Sequence, residues 1–168
     1  MVDVNVVLAA NRAAIDDLVA AVERSETSWT TPRAPGKWSP SQIVEHVART
    51  LEESANEVSG APSKLPTLPM FLRPILRAML FNRVLKTNAF PRARTSKSLN
   101  PASGSATPAE ARIRLEAALA KFDQACHARG ASGQNVASTV FGSVSVNDYA
   151  RFQELHTRHH CKQMPDPT

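Results

Sequence analysis

Cysteine is nearly missing from this chain of 168 residues, where Cys126 and Cys161 are the two that occur. Two cysteines build no disulfide framework, so packing must supply the stability and a reducing cytoplasm is the expected compartment. Glycine is scarce as well, with 6 residues. Val, Leu and Ala fill the periodic stretches, and proline falls mostly between them. That pattern excludes a Gly-rich flexible chain and points to helices joined by proline-marked connections. Uninterrupted apolar runs never approach ~18 residues, which excludes a membrane-spanning helix. The opening MVDVNVVLAANRAAIDDLVAAV carries Asp3, Arg12, Asp16 and Asp17. It lacks the basic start and apolar run of a signal peptide, and none is expected. Finally, no acidic residue occurs from Val58 to Ala109, whereas Lys64, Arg73, Arg77, Arg83, Lys86, Arg92, Arg94 and Lys97 all fall there. The net charge of +5 is therefore local.

What is present fits one domain over residues 1–168, with a hydrophobic share of 42% that can fill a single core. Val4, Val7, Leu8, Ile15, Leu18, Val19 and Val22 keep the helical period and predict a helix from about Asp3 to Glu23. Ser39, Pro40 and Gln42 form a capping box with proline at the first helical position, and Trp38 with Ile43 has the spacing of a hydrophobic staple. The helix they open runs to Gly60, with Ile43, Val47, Thr50 and Leu51 inward and His46 among them. Thr107, Pro108 and Glu110 repeat that start for a helix to about Ala128, with Ile113, Leu115, Leu119 and Phe122 inward. The stretch VASTVFGSVS reads as irregular. Ser145 then caps a last helix in which Tyr149, Phe152, His156, His160 and Gln163 share one stripe. The fold class is all-α, a bundle of about four main helices.

The basic insert and loop at 70–107 stand apart. PMFLRPILRAMLFNRVLK predicts a short helix, kinked at Pro74 or starting there. Asn88 to Thr107 reads as a long loop, which is usually functional or mobile. Phe71, Leu72, Leu76, Leu80, Phe81 and Leu85 interleave with the cations and predict packing on the bundle. The alternative is a face lying on an anionic membrane surface. No groove-reading motif is present, so nucleic acid is not an expected partner. A homodimer is compatible with the same reading.

Chemistry concentrates in the string LHTRHHCKQ. His156 and His160, four apart, lie one above the other on a helix face, so both imidazoles can reach one ion. With His46 from the second helix they make three neutral imidazoles, a ligand set that leaves a divalent metal one position for a small-molecule substrate. Imidazole suits Zn, Ni and Fe alike, so the metal identity stays open. The plainer alternative is a set of hydrogen-bonded surface or core histidines. His127 has no partner at ligand spacing. Glu45 beside His46, and Cys161 beside His160, each point about 100° away from their neighbours on the helix. A solvated face and a bystander thiol are their expected roles. Trp38 is expected to pack as the staple.

GKWSPSQIVEHVART and YARFQELHTRHHCKQM resemble the two signatures of the DinB-like (DinB/YfiT) superfamily. The VFG at Val140–Gly142 and the lead-in after it resemble its DinB_2-type members. That resemblance implies a four-helix bundle with a divalent metal on His46, His156 and His160. It implies a ligand-orienting role for Gln163 and often pairs two adjacent histidines there; helix geometry places His159 either behind the ligands, in contact with them, or at the pocket rim. Ser138 and Thr139 stand where such members often carry His-Pro. By the same resemblance the activity would be transfer of a low-molecular-weight thiol, with hydrolysis of a small substrate as the other metal-dependent option. A non-catalytic metal- or ligand-binding bundle is the alternative function.

Overall fold

A computed structural model describes residues 3–91 and 95–165. Arg92 and Arg94 of the basic run lie outside the described residues.

The molecule is mainly helical. Helix α1 (Val4–Arg24) starts where Asp3 accepts a hydrogen bond from the Asn5 N–H, and it buries Val7, Leu8, Ile15, Leu18 and Val22. Helix α2 (Pro40–Ser59) opens on the full Ser39–Gln42 capping box and closes at Gly60, which takes a left-handed φ of 80°. That conformation strains any residue with a Cβ, which is why glycine ends the helix there. Between them and the next long helix lie α3 (Arg73–Leu76), a π-helical stretch (Arg77–Phe81) and α4 (Asn82–Thr87). Helix α5 (Pro108–Ala131) carries the second capping box, from Thr107 and Glu110. Helix α6 (Val146–Cys161) begins where Ser145 accepts from the Asp148 N–H.

Helix α2 lies along α5, α1 lies along α6 and α5, and α2 also meets α6. The core is continuous between them, with Ile15, Leu18, Leu51, Leu115, Leu119, Phe122 and Tyr149 almost fully buried. Burial of that kind stabilises by roughly 1.5–3 kcal/mol per large apolar side chain. Asn11 ties α1 to α6 by donating to the Ala150 carbonyl at 2.9 Å. No helix among the described residues is long and apolar enough to cross a membrane.

Three expectations need correction. VASTVFGSVS is not irregular: strands β1 (Val136–Ser138) and β2 (Gly142–Val144) pair antiparallel, with Val136 opposite Val144 and Ser138 opposite Gly142. Val136 and Ser138 turn inward and Ala137 outward, a period of two too short to stand out in ten residues. Ile113 does not face the core but is 69% exposed, because it sits about 200° around α5 from Leu115. Ala111 and Ala118 fill the inner face instead. The basic segment packs on the rest only through part of its apolar set. Phe81 and Val84 are buried, while Phe71 is 74% exposed and Met70, Ile75 and Met79 are exposed beside it.

The long loop after α4 is docked against the start of α2. Gln42 donates to the Ala102 carbonyl at 3.2 Å, and the Trp29 indole donates to the Ser105 carbonyl at 2.9 Å. Gly104 makes the approach possible, since a Cβ there would sit 2.0 Å from the Ser41 carbonyl oxygen.

Candidate metal centre

His46 faces inward because the buried stripe of α2 steps through Ile43, His46, Thr50, Ser54 and Glu57 at intervals of three or four. The stripe of α6 steps through Tyr149, Gln153, His156 and His160 in the same way. The two helices run in opposite directions. His46 meets His156 at one end, and Glu57 accepts the Tyr149 hydroxyl at 2.7 Å at the other. Eleven residues separate the two contacts on α2, about 16 Å of rise, and seven on α6, about 10 Å.

At the first end the imidazoles converge. His46 Nε2 and His160 Nε2 lie 3.2 Å and 3.1 Å from His156 Nε2, and the ligand atoms of the three all fall within 4.8 Å of one another. Such a group could hold a metal ion. The outer ring nitrogens are held as well. His46 Nδ1 donates to the Leu99 carbonyl at 2.9 Å, and His160 Nδ1 pairs with Gln163 Oε1 at 3.0 Å. A carbonyl only accepts, so the hydrogen of His46 must be on Nδ1 and its Nε2 presents a lone pair. His160 takes the same tautomer in this amide orientation. His156 can then offer a hydrogen to one neighbour at most, and at least one lone pair meets another.

Burial keeps the three rings neutral. His156 is held well below the usual imidazole range, first by desolvation and then by the nearby rings of His160, His46 and His159. His160 is pushed down to about 3 by burial and by His46 and His159, against the opposing bond to Gln163. For His46 burial again dominates, with the Leu99 carbonyl pulling the other way. Neutral imidazole is the metal-binding form.

Around the cluster, Trp38 lies 4.8 Å from His46 and 6.1 Å from His160 between ring centroids. Expected as a staple, it also covers the histidines. Phe90 meets the edge of His156 at 5.5 Å. His159 stays outside the convergence, where its Nε2 accepts from the Gln163 amide at 2.9 Å. Gln163 thus bridges His159 and His160. Glu45 is committed elsewhere, to Arg49 at 2.6 Å and Arg114 at 3.5 Å. The Cys161 sulfur turns to the Ala14 carbonyl at 3.7 Å, and His127 bonds Asn5 of α1 at 3.0 Å.

A cavity of about 860 Å³ opens from this cluster and runs between α2 and α6 to the Glu57–Tyr149 contact. Ser138 and Thr139 lie at that far end. The Ser138 hydroxyl accepts from the N–H groups of Val140 and Phe141, and Thr139 donates to Glu57 through its N–H at 2.7 Å. Sequence reasoning missed the Leu99 carbonyl, Glu57 and Gln153. A loop carbonyl leaves no trace in side-chain type. Gln153 was findable, because it stands four after Tyr149 and three before His156.

A family model described as "Protein of unknown function (DUF1569)" matches residues 9–166. No curated protein and no solved structure matches the chain. The match corrects the resemblance to the DinB-like superfamily, which is not the family found. The strings that suggested it encode a capped helix with an inward histidine and a helical histidine pair. Those are local devices that specify a geometry and not a lineage.

Proposed function

The chain belongs to the DUF1569 family, whose description assigns no activity, and we propose from the site alone that it is a divalent-metal-dependent enzyme acting on a small molecule held in the cavity. The observation that carries this reading is the meeting of three imidazole nitrogens with too few hydrogens between them. A cation removes that conflict. The donors fit one: the separations of 3.1 and 3.2 Å are close to the ~3.3 Å expected between nitrogens bound to one tetrahedral Zn²⁺. Zn, Ni and Fe all accept such donors. We read the four long helices as a four-helix bundle whose facing sides, on α2 and α6, supply the ligands.

When bound, the metal supplies Lewis acidity to a substrate group at its open position. The chain's own residues do the rest. The Leu99 carbonyl and Gln163 fix the ring orientations of His46 and His160. Trp38 and Phe90 keep water from the outer faces of the rings. His159, half-buried at the rim, is the nearest group able to move a proton. Hydrolysis of a small substrate rests on the donor set. Transfer of a low-molecular-weight thiol loses the resemblance that suggested it.

A metal-holding binding protein without turnover is the second reading. Glu57, the one carboxylate lining the cavity among the described residues, favours it, being fully engaged by Tyr149 and Thr139 far from the histidines. Elemental analysis of the purified protein decides the shared premise. About one divalent ion per chain is expected, and its loss in His156→Ala. Equal metal content in wild type and variant would sink both readings. Metal-dependent hydrolysis of activated esters and amides would then separate enzyme from binder.

A further inference from the structure

We infer that Gln153 orients the ligand of this cavity, and that the ligand is an apolar-bodied organic anion. It carries a hydrogen-bond donor a few ångströms from its anionic head. The inference deepens the metal-site reading by naming a substrate class, although its charge and hydrogen-bond arguments stand on residues other than the histidines.

Gln153 is 3% exposed and lines the cavity, yet its Oε1 is buried with no hydrogen-bond partner. A buried acceptor left unpaired is costly, and native structures rarely tolerate one without a use. Its polar neighbours along the cavity are satisfied. Thr50 donates to the His46 carbonyl at 2.8 Å, and Glu57 takes the Tyr149 hydroxyl at 2.7 Å. Gln153 is therefore the polar group that the protein leaves for something else. The terminal torsion of glutamine is broad, so its amide turns toward a ligand at small cost.

Position gives the spacing. Gln153 precedes His156 by three residues on α6, about 4.5 Å of rise toward the Glu57–Tyr149 end. Charge gives the direction. Arg33 and Lys37 both line the cavity, Lys37 adjoining the Trp38 that covers the histidines, while the carboxylate of Glu57 lies at the other end. The head that sits by the histidines is thus drawn in as an anion. Ile43, Leu80, Phe141 and Phe152 wall the space between. They suit an apolar body and offer a cation no counter-charge.

Calorimetric binding of three matched probes tests this. N-Octanoylglycine has a carboxylate head, an amide just beyond it and an apolar tail. Undecanoate keeps the head and the length without the amide. N-Octanoylglycinamide keeps the amide without the charge. N-Octanoylglycine should bind about tenfold tighter than undecanoate, the worth of roughly one hydrogen bond. The neutral probe should bind weakest. Gln153→Met should erase the tenfold step and leave undecanoate binding intact. Arg33→Ala with Lys37→Ala, both at exposed positions that do not endanger folding, should weaken the two carboxylates and spare the neutral probe. An amide that confers no advantage, a Met variant that retains it, or equal binding of the neutral probe would each overturn the inference. Metal uptake is measured separately, and the probes are compared in zinc-loaded and metal-free protein. A protein that takes up none of zinc, nickel or iron(II) refutes the metal reading, while its probe selectivity still decides this one.

Discussion

His46 Nε2 and His156 Nε2 lie 3.2 Å apart, although 110 positions separate them in the chain. Folding has brought two imidazole nitrogens together, a third from His160 sits beside them, and the one hydrogen that His156 can offer leaves at least one of the contacts between lone pairs. Metal binding should therefore stabilise the fold by removing an uncompensated contact. At zinc concentrations a hundredfold above the dissociation constant, mass action contributes about 2.7 kcal/mol. For a chain of this size that is roughly 5–10 °C in melting temperature. Calorimetric scans with zinc and with a chelator should show the gap, and His156→Ala should close it. A melting temperature indifferent to both metal and chelator would count against the site.

Gln163 should tune metal affinity without touching the metal. It pairs with His160 Nδ1 at 3.0 Å and with His159 at 2.9 Å, so it fixes one ligand's ring and tautomer. Removing such a partner typically weakens a metal site by about 10–100-fold. Gln163→Leu should show that loss in competition with a chromophoric chelator. Gln163→Glu, which keeps an acceptor for His160 Nδ1, should retain most of the affinity. Unchanged affinity in the Leu variant would make Gln163 a rim residue only.

The parts of this molecule written in local chemistry were readable from the sequence. Both capping boxes, the Ser145 cap and the Gly60 stop formed where residue type and spacing placed them. His46, His156 and His160 could be singled out because each falls on the inward stripe of a well-capped helix and the last two stand four apart. What could not be read depended on tertiary approach. The Leu99 carbonyl reaches His46 only because a loop with no periodicity folds back over α2. Ile113 looked inward because isoleucine usually is, yet two alanines let α5 approach its neighbours closely on another side. Two strands of three residues offered too short a period to detect. The lineage was misread for a related reason, since caps and histidine pairs report geometry.

Neither thiol should react at neutral pH. Burial raises Cys126 to about 12, helped by the Asp123 carboxylate. Burial also raises Cys161 to about 11, with Asp17 adding to it and Arg158 opposing. A group raised this far stays protonated throughout the neutral range, and the thiolate is the nucleophile. Iodoacetamide at pH 7.5 should therefore leave the folded protein unmodified by mass spectrometry for hours, with labelling rising only near pH 10–11 or on unfolding. Rapid single labelling at Cys161 under native conditions would reopen it as a participant in the site.

Gly104 gives the sharpest test of how the loop and the metal centre are joined. A Cβ at this position would lie 2.0 Å from the Ser41 carbonyl oxygen and 2.3 Å from its carbon, both backbone atoms that cannot swing aside. Gly104→Ala must then lift the loop from the start of α2. Lifting it strains the Gln42 bonds to the Pro101 and Ala102 carbonyls and draws Leu99 away from His46. Overpacking of this kind costs about 1–3 kcal/mol, and losing the carbonyl that fixes His46 should weaken zinc by about tenfold or more. Gly130 is the control. It lies within α5, where an added Cβ would meet only Val4 atoms at 3.8 Å and beyond, an ordinary contact. Gly130→Ala should stabilise by roughly 0.5–1 kcal/mol through helix propensity and leave zinc affinity alone. Thermal melts and chelator competition on the two variants separate the cases. If Gly104→Ala lowers the melting temperature but binds zinc as tightly as wild type, the loop is merely docked, and His46 owes its orientation to α2 alone.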